Sequence, residues 1–479
     1  MSSKPKAVLI STYELGRQPF GLASPAAWLR RAGAEVTCLD LSRQALAALP
    51  PGPIAEADFI AFYVPMHTAT RLAVEVLPAI RSLNPRAHLC FYGLYAPVNE
   101  AYLRKLGADT ILGGEFEAGL VSAFERARGA QEDVSRLGAG PARGSDATRD
   151  SQAQAEPVIS LARQDFVVPD RRDMPPLSRY AHLNHPSGKP RVVGYTEASR
   201  GCKHLCRHCP IVPVYDGRFR IVPKEVVLAD IRQQVAAGAE HITLGDPDFF
   251  NGIRHAVEVV SALHAEHPTL TYDVTVKIEH LLQHAQHIRT LRDTGCLFVT
   301  SAVESMDDAV LSRLAKGHTY ADFASVVDLC RDAGLTLAPT FVVFTPWITL
   351  EGYCGFLERI AALDLVEQVA PIQLAIRLLI PAGSRLLDLA DVREMVAPFD
   401  EAGLVYPWAH PDPRVDELCR QAQDIVEHGQ KKEWQRRTIF THIWKLAHNA
   451  AGLAGRAIPQ EAVGATRATM PYLTEPWYC

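Results

Sequence analysis

Short apolar runs alternate with amphipathic stretches over residues 6–127. AVLIS, AEVTCLDLS, ADFIAFYVP, HLCFYG and DTILGG read as strands, with helices between them at 26–31, at 69–83 and around Arg104. Leu72, Val76 and Ile80 recur at a helical interval in the clearest of these helices. This rhythm predicts a parallel, doubly wound α/β domain over 1–127. Next comes the stretch GAGPARGSDATRDSQAQAEP, and no aromatic residue occurs between Phe124 and Phe166. Residues 128–165 are therefore expected to be a flexible linker.

A second series occupies 166–385. RVVGYTEAS, HITLG, TYDVTV, CLFVTS, LTLAPTFVV and PIQLAIRLL read as strands, separated by helical stretches at 224–237, 255–264 and 321–333. Such units predict a partial (β/α)6 barrel, whose site would lie at the C-terminal ends of its strands by analogy with complete barrels. Residues 386–479 turn mainly helical. Ile439, Ile443 and Leu446, with Phe440 and Trp444 beside them, form an apolar stripe that core packing explains.

Composition narrows the class. With 479 residues and 48% apolar content, two or three folded domains are expected. A net charge of -5 without blocks of like charge gives no reason to expect a nucleic-acid or anionic-membrane partner. The opening MSSKPKAVLI passes from a short polar start into a strand without the regions of a signal peptide, and no apolar run reaches the roughly 18 residues of a membrane span. A cytoplasmic protein acting on a small-molecule substrate is the expectation. Of ten cysteines, seven are scattered singly in apolar or helical surroundings, as buried inert thiols usually are. The other three are clustered.

Those three, Cys202, Cys206 and Cys209, lie in RGCKHLCRHCP directly after the first barrel strand. Thiolates are soft ligands suited to iron–sulfur clusters or zinc, and this spacing lets one loop wrap one metal centre. Structural zinc takes four protein ligands, so His204 or His208 would have to complete such a site. An electron-carrying four-iron cluster would call for a fourth cysteine, and none lies close in sequence.

A CxxxCxxC run at the end of the first strand of a six-unit β/α region resembles the radical S-adenosylmethionine (SAM) superfamily. The resemblance implies that Cys202, Cys206 and Cys209 bind three irons of a [4Fe-4S] cluster whose fourth iron chelates the amino and carboxylate groups of SAM. An electron from a donor such as flavodoxin or ferredoxin would then break a sulfonium C–S bond. Gly245 and Asp246, in Gly245-Asp246-Pro247-Asp248, stand where the superfamily has a glycine-rich turn ending in glutamate that contacts the SAM amino group; a structural turn is the other reading. Ser301 and Glu304 resemble the strand end that meets the SAM ribose and methionine. Arg377, near Ile380-Pro381-Ala382-Gly383-Ser384, resembles the adenine side, or else makes a rim ion pair. His208 holds the position of an aromatic residue that packs near adenine.

An α/β domain ahead of such a barrel resembles the cobalamin-binding-domain radical SAM enzymes, with Pro65-Met66-His67-Thr68-Ala69-Thr70 and Leu112-Gly113-Gly114-Glu115-Phe116-Glu117 as the local matches. The Asp-x-His-x-x-Gly signature that ligates cobalt in many cobalamin domains is absent, and His67 and His88 lack its context. Cobalamin binding is open, and if it occurs no histidine is expected to ligate cobalt from below.

RGCKHLCRHCPIVPVYDGRFR, GDPDFFNG, TVKIEHLL, TSAVES, TFVVFTPW and IQLAIRLLIPAGSRLL together resemble the CUAEP/CCAEP-tail radical SAM (seleno)proteins, which are similar to the radical SAM enzyme of arsinothricin biosynthesis. The resemblance implies radical chemistry that includes carbon–arsenic or other C–X bond formation. Cobalamin-dependent methyl transfer and a non-catalytic metal-binding or redox-sensing role are the alternatives. It also implies that Cys479 is the catalytic first residue of a tail opened by a Cys-selenocysteine or Cys-Cys pair, an incidental terminal thiol being the other reading.

Overall fold

The structure is a computed structural model that describes residues 4–137, 156–185, 188–458 and 472–473, with backbone alone for 130–137 and 472–473. The described residues divide into two compact units, one reaching Arg179 and including Glu401–Leu404, the other built from Tyr180–Asp400 and the residues from Val405 onward. No helix among the described residues is long and apolar enough to cross a membrane.

The first unit is a parallel sheet of β1 (Lys6–Ser11), β2 (Glu35–Asp40), β3 (Phe59–Tyr63), β4 (His88–Tyr92), β5 (Thr110–Gly114) and β6 (Ile159–Ser160), in the order β2-β1-β3-β4-β5-β6. Strand period explains why its sequence reads as continuous apolar runs. Phe59, Ala61 and Tyr63 pack into the core on one face, and Ile60, Phe62 and Val64 into the core on the other. Helices Phe20–Arg31 and Glu117–Leu137 cover the first face, and His67–Leu83 covers the second. The order reverses between β1 and β3, which makes the carboxyl ends of those strands the place where such sheets bind ligands.

The unit extends past the boundary expected at 127. Its last helix runs to Leu137, and Ile159 and Ser160, inside the expected linker, pair with Gly113 and Gly114. A two-residue strand in a polar stretch has no periodicity to betray it. Residues 138–155 lie outside the described residues, and the division falls at Arg179/Tyr180 rather than 165/166.

In the second unit β8 (Pro190–Thr196), β11 (His241–Leu244), β12 (Thr271–Thr275), β13 (Cys296–Glu304) and β14 (Thr336–Phe341) run parallel, flanked by antiparallel β7 (His182–Asn184) and β15 (Tyr472–Leu473). A separate hairpin pairs β9 (Ser199–Gly201) with β10 (Phe219–Ile221). Helices Lys224–Ala236, Ile253–Glu266, the pair Ile278–Gln283 and Ile288–Asp293, and Tyr320–Ala333 lie between successive parallel strands, and Leu350–Ala362 follows β14. The sixth expected strand shrinks to a single parallel bridge, Phe344 with Arg377, preceded by a 3-10 turn at Pro371–Leu374. Pro371 and Pro381 cannot donate to a ladder, and the Gln373 side chain instead accepts from the Phe341 amide at 2.8 Å. Helices Pro413–Lys431 and Arg436–Ala450 follow, with Ile439, Phe440, Ile443 and Trp444 of the expected stripe buried and Leu446 half-buried.

Candidate active site

The cysteine loop leaves the β9–β10 hairpin through Gly201, whose φ is +73°. A Cβ there would lie 2.4 Å from the Arg218 carbonyl oxygen, so only glycine turns the chain at this point. Cys206 is buried, and Cys202 and Cys209 are partly so. The Cys209 amide donates to the Cys206 carbonyl at 3.2 Å, closing the second half of the loop. Arg207 fastens it from outside: its amide donates to the Leu314 carbonyl (3.0 Å) and Nη1 to that of Arg313 (2.8 Å), while Ser384 Oγ donates to the Arg207 carbonyl (3.3 Å). Burial pushes the Cys202 thiol up and carries Cys209 to about 12, with the neighbouring thiols adding to both shifts. Thiols so placed ionise when a metal takes the proton's place.

After β11 comes Gly245, where a Cβ would sit 1.9 Å from the Tyr195 hydroxyl oxygen. Asp246 is fully enclosed. It accepts from the Ala198 amide (3.0 Å) and Ser199 Oγ, and burial lifts its carboxyl to about 6 against those hydrogen bonds. These contacts form the structural turn of the alternative reading, with Asp246 bracing the residues that lead into the cysteine loop. Asp248, two residues on, caps the 3-10 turn Phe249–Gly252 and lies 2.7 Å from His280 Nδ1 and 3.4 Å from His204 Nε2. Burial works to raise its carboxyl, but the two imidazoles outweigh it and hold it at about 2. Cys202, His204 and Asp248 bring one sulfur, one nitrogen and one oxygen within 4.8 Å of one another.

The end of β13 carries the most constrained acid of the site. Glu304 has φ +70° at a register shift between β13 and β14, an uncommon conformation for a residue with a side chain. Its Oε1 lies 3.1 Å from His208 Nε2 and 3.5 Å from Lys316 Nζ. Burial again opposes ionisation, and Lys316 with His208 overcomes it, leaving the carboxyl at about 2. The structure thus joins the expected residues Glu304 and His208. It adds Lys316, which nothing in the sequence had singled out.

Several polar groups at these strand ends have no hydrogen-bond partner among the described residues. They are Ser301 Oγ, Thr345 Oγ1, His208 Nδ1, Asn251 Nδ2 and both ring nitrogens of His318, on residues that are buried or, for His208, nearly so. Burial, then Lys316 and Lys277, lower His318 to about 4, so its ring is neutral near pH 7.

Arg377 is spoken for. It reaches Asp416 Oδ1 at 2.5 Å and the Trp408 carbonyl at 2.8 Å, with its guanidinium 3.5 Å from the Trp408 ring centroid. These contacts make the rim ion pair of the alternative reading. Cys479 lies outside the described residues.

In the first unit the stretch 65–70 opens the helix at His67, whose Nε2 lies 2.6 Å from the Gly403 carbonyl oxygen while Nδ1 has no partner among the described residues. His88 bonds Thr110 Oγ1 at 2.9 Å and stacks on Phe59. Glu115 and Glu117, in the second quoted turn, are buried and accept from Gln164 Nε2 at 3.4 and 2.7 Å.

Comparison with known proteins fits this geometry. The hopanoid C-3 methylase of Methylococcus capsulatus is 22% identical over 353 residues, covering 72% of this chain and 64% of the methylase. The tRNA-2-methylthio-N(6)-dimethylallyladenosine synthase of Chlorobium luteolum is 27% identical over 199 residues, 37% of this chain and 40% of the synthase. The chain therefore spans less than two thirds of the length of either relative. Among solved structures, the cobalamin-dependent SAM radical enzyme OxsB, with aqua-cobalamin and SAM bound, superposes with a TM-score of 0.66 at 15% identity, covering 89% of this chain and 67% of its own. The radical SAM methyltransferase TsrM from Kitasatospora setae, with cobalamin and a [4Fe-4S] cluster bound, gives 0.56 at 18% identity over 76% and 71%. At these identities the likeness is one of fold. Residues 196–351, which hold the cysteine loop and the ends of β8 to β14, match the model of the Radical SAM superfamily.

Proposed function

We propose that this chain reductively cleaves SAM on a [4Fe-4S] cluster held by Cys202, Cys206 and Cys209, and directs the resulting radical at a small-molecule acceptor. The observation that carries the reading is the coincidence of a three-thiol loop with buried, unpartnered polar groups at the ends of the same parallel sheet. Three soft donors with no fourth cysteine nearby suit a cluster that keeps one iron for a ligand. When bound, the cluster supplies the electron that breaks the sulfonium bond.

The protein's part is orientation and shelter. Ser301 Oγ and Thr345 Oγ1 offer hydroxyl donors to a polar ligand, and neutral His318 offers one donor and one acceptor. Glu304, kept ionised by Lys316 and His208, accepts from hydroxyl or ammonium groups. Leaving such groups unpaired costs about 1–3 kcal/mol each, which a bound ligand recovers.

A second reading adds cobalamin and methyl transfer. It is favoured by the β2-β1-β3-β4-β5 order of the first unit and by Ser11 Oγ and His67 Nδ1, buried and without partners among the described residues near the ends of β1 and β3. Carbon–arsenic or other C–X bond formation would use the same SAM site, and an electron donor of the flavodoxin or ferredoxin class would serve either reaction. Anaerobic reconstitution, reduction with dithionite and mass spectrometry of the SAM products test the proposal. 5′-Deoxyadenosine, or a 3-amino-3-carboxypropyl product with methylthioadenosine, supports cleavage and names the bond; S-adenosylhomocysteine formed only with added cobalamin supports methyl transfer. Intact SAM over a fully loaded, reduced cluster contradicts the proposal.

A further inference from the structure

Asn251 belongs to the 3-10 turn Phe249–Gly252, one loop away from the cysteines and 1% exposed. Asp248 fixes that turn, taking the Phe250 amide on its carboxylate at 3.3 Å and the Asn251 amide on its carbonyl at 3.0 Å. From this platform Asn251 Oδ1 accepts the Lys203 amide at 3.2 Å and lies 4.0 Å from Cys202 Sγ. The other half of the carboxamide, Nδ2 with its two N–H donors, is buried and has no partner among the described residues.

A fixed, unsatisfied pair of donors beside a cluster thiol is costly in an empty loop and useful in a filled one. Oδ1 and Nδ2 belong to one small planar group, so Nδ2 lies within about 6 Å of Cys202 Sγ, given the 4.0 Å contact and amide dimensions like those of the backbone. Once Cys202 is a thiolate it can no longer donate to Oδ1, and the sulfurs of a bound cluster are acceptors of the kind that Nδ2 lacks. Hydrogen bonds to cluster sulfurs stabilise the more negative, reduced state and so raise the reduction potential.

Resting on the cluster reading above, we propose that Asn251 is a positioning residue that braces Cys202 through the Lys203 amide and donates Nδ2–H to a sulfur of the bound cluster, tuning its reduction. The donor and the acceptor of the one side chain then have separate jobs. Oδ1 sets the loop, and Nδ2 sets the electronics.

Two measurements on the reconstituted full chain test this. In wild-type protein carrying 15N in its asparagine side chains, pulsed EPR of the reduced cluster should show an exchangeable-proton coupling and a 15N coupling, both absent from Asn251→Leu. In a redox titration Asn251→Leu should be harder to reduce, with a roughly tenfold lower reduced-to-oxidised ratio at the wild-type midpoint, about 59 mV for one electron. A loaded wild-type cluster without either coupling overturns the proposal whatever the variant does, as does a variant with wild-type couplings and midpoint. A wild type that assembles no four-iron cluster under reducing conditions contradicts the cluster reading itself, which iron and sulfide analysis registers before any coupling is sought.

Discussion

Each unit ends one of its parallel strands in a glycine-containing acidic turn, and the two use those acids differently. After β5, Glu117 accepts from Ser24 Oγ and Gln164 Nε2, both at 2.7 Å, and Gln164 also reaches Glu115, so the chain's own residues answer the buried carboxylates. After β11, Asp246 is likewise consumed, but Ser301, Thr345, Asn251, His208 and His318 of the second unit keep polar atoms without partners among the described residues, Asn251 beside Cys202. Buried groups without partners are rare because each costs about 1–3 kcal/mol. Polar groups left in this way on the unit that carries the three thiols are what distinguish it as the one that suits a ligand. The first unit keeps a fainter version of the same signal in Ser11 and His67.

That contrast can be broken most forcefully at Glu304. Replacing it with glutamine leaves Lys316, 3% exposed, without its counter-charge, and a broken buried pair costs about 3–5 kcal/mol. The pH dependence has a definite sign. Glu304 titrates at about 2 in the folded protein against an ordinary value of 4.5, so its contribution is complete above about 4.5 and vanishes as pH falls through 2. Denaturant melts of the second unit should therefore show wild type losing more stability than Glu304→Gln across that window. Parallel curves would remove the pairing of Glu304 with Lys316 and His208 from the account.

Asp246 comes next. Asp246→Ala strands the Ala198 amide and the Ser199 hydroxyl, which costs about 1–3 kcal/mol and should loosen iron retention, with Asp246→Asn restoring most of both. SAM affinity per loaded cluster should stay unchanged. A tenfold weaker SAM dissociation constant at unchanged stability would return Asp246 to the ligand side of the turn.

The smallest effect is expected at Arg377. Arg377→Met removes a half-exposed ion pair and the stack on Trp408, together about 1 kcal/mol. Thermal melts should register that loss while SAM binding does not move, and the reverse pattern would make Arg377 part of the adenine pocket.

Much of this was legible in the sequence, for physical reasons that differ by element. FIAFY and HLCFY announce strands because a parallel sheet covered on both faces needs apolar residues at every position. The cysteine loop announces itself because three soft ligands must come from one short span. IQLAIRLL misleads, since an apolar run next to prolines satisfies burial equally well as a 3-10 turn and a single bridge. Asp246 and Arg377 have the right chemistry for a ligand site, but the direction of a side chain is set by tertiary neighbours, here Ser199 in one case and Trp408 with Asp416 in the other. Lys316 and His318 carry no local motif at all, and Asn251 sits in the GDPDFFNG run without any local sign of a role. They become visible only when β11, β13 and the chain beyond them bring separate segments to one edge.

The most direct measurement compares wild type with a Cys202→Ala, Cys206→Ala, Cys209→Ala triple variant after anaerobic reconstitution, counting iron and sulfide and following SAM consumption under dithionite. The account predicts about four irons and SAM cleavage in the wild type, and neither in a triple variant whose circular dichroism shows it folded. A folded triple variant that still holds a four-iron cluster and cleaves SAM would contradict it.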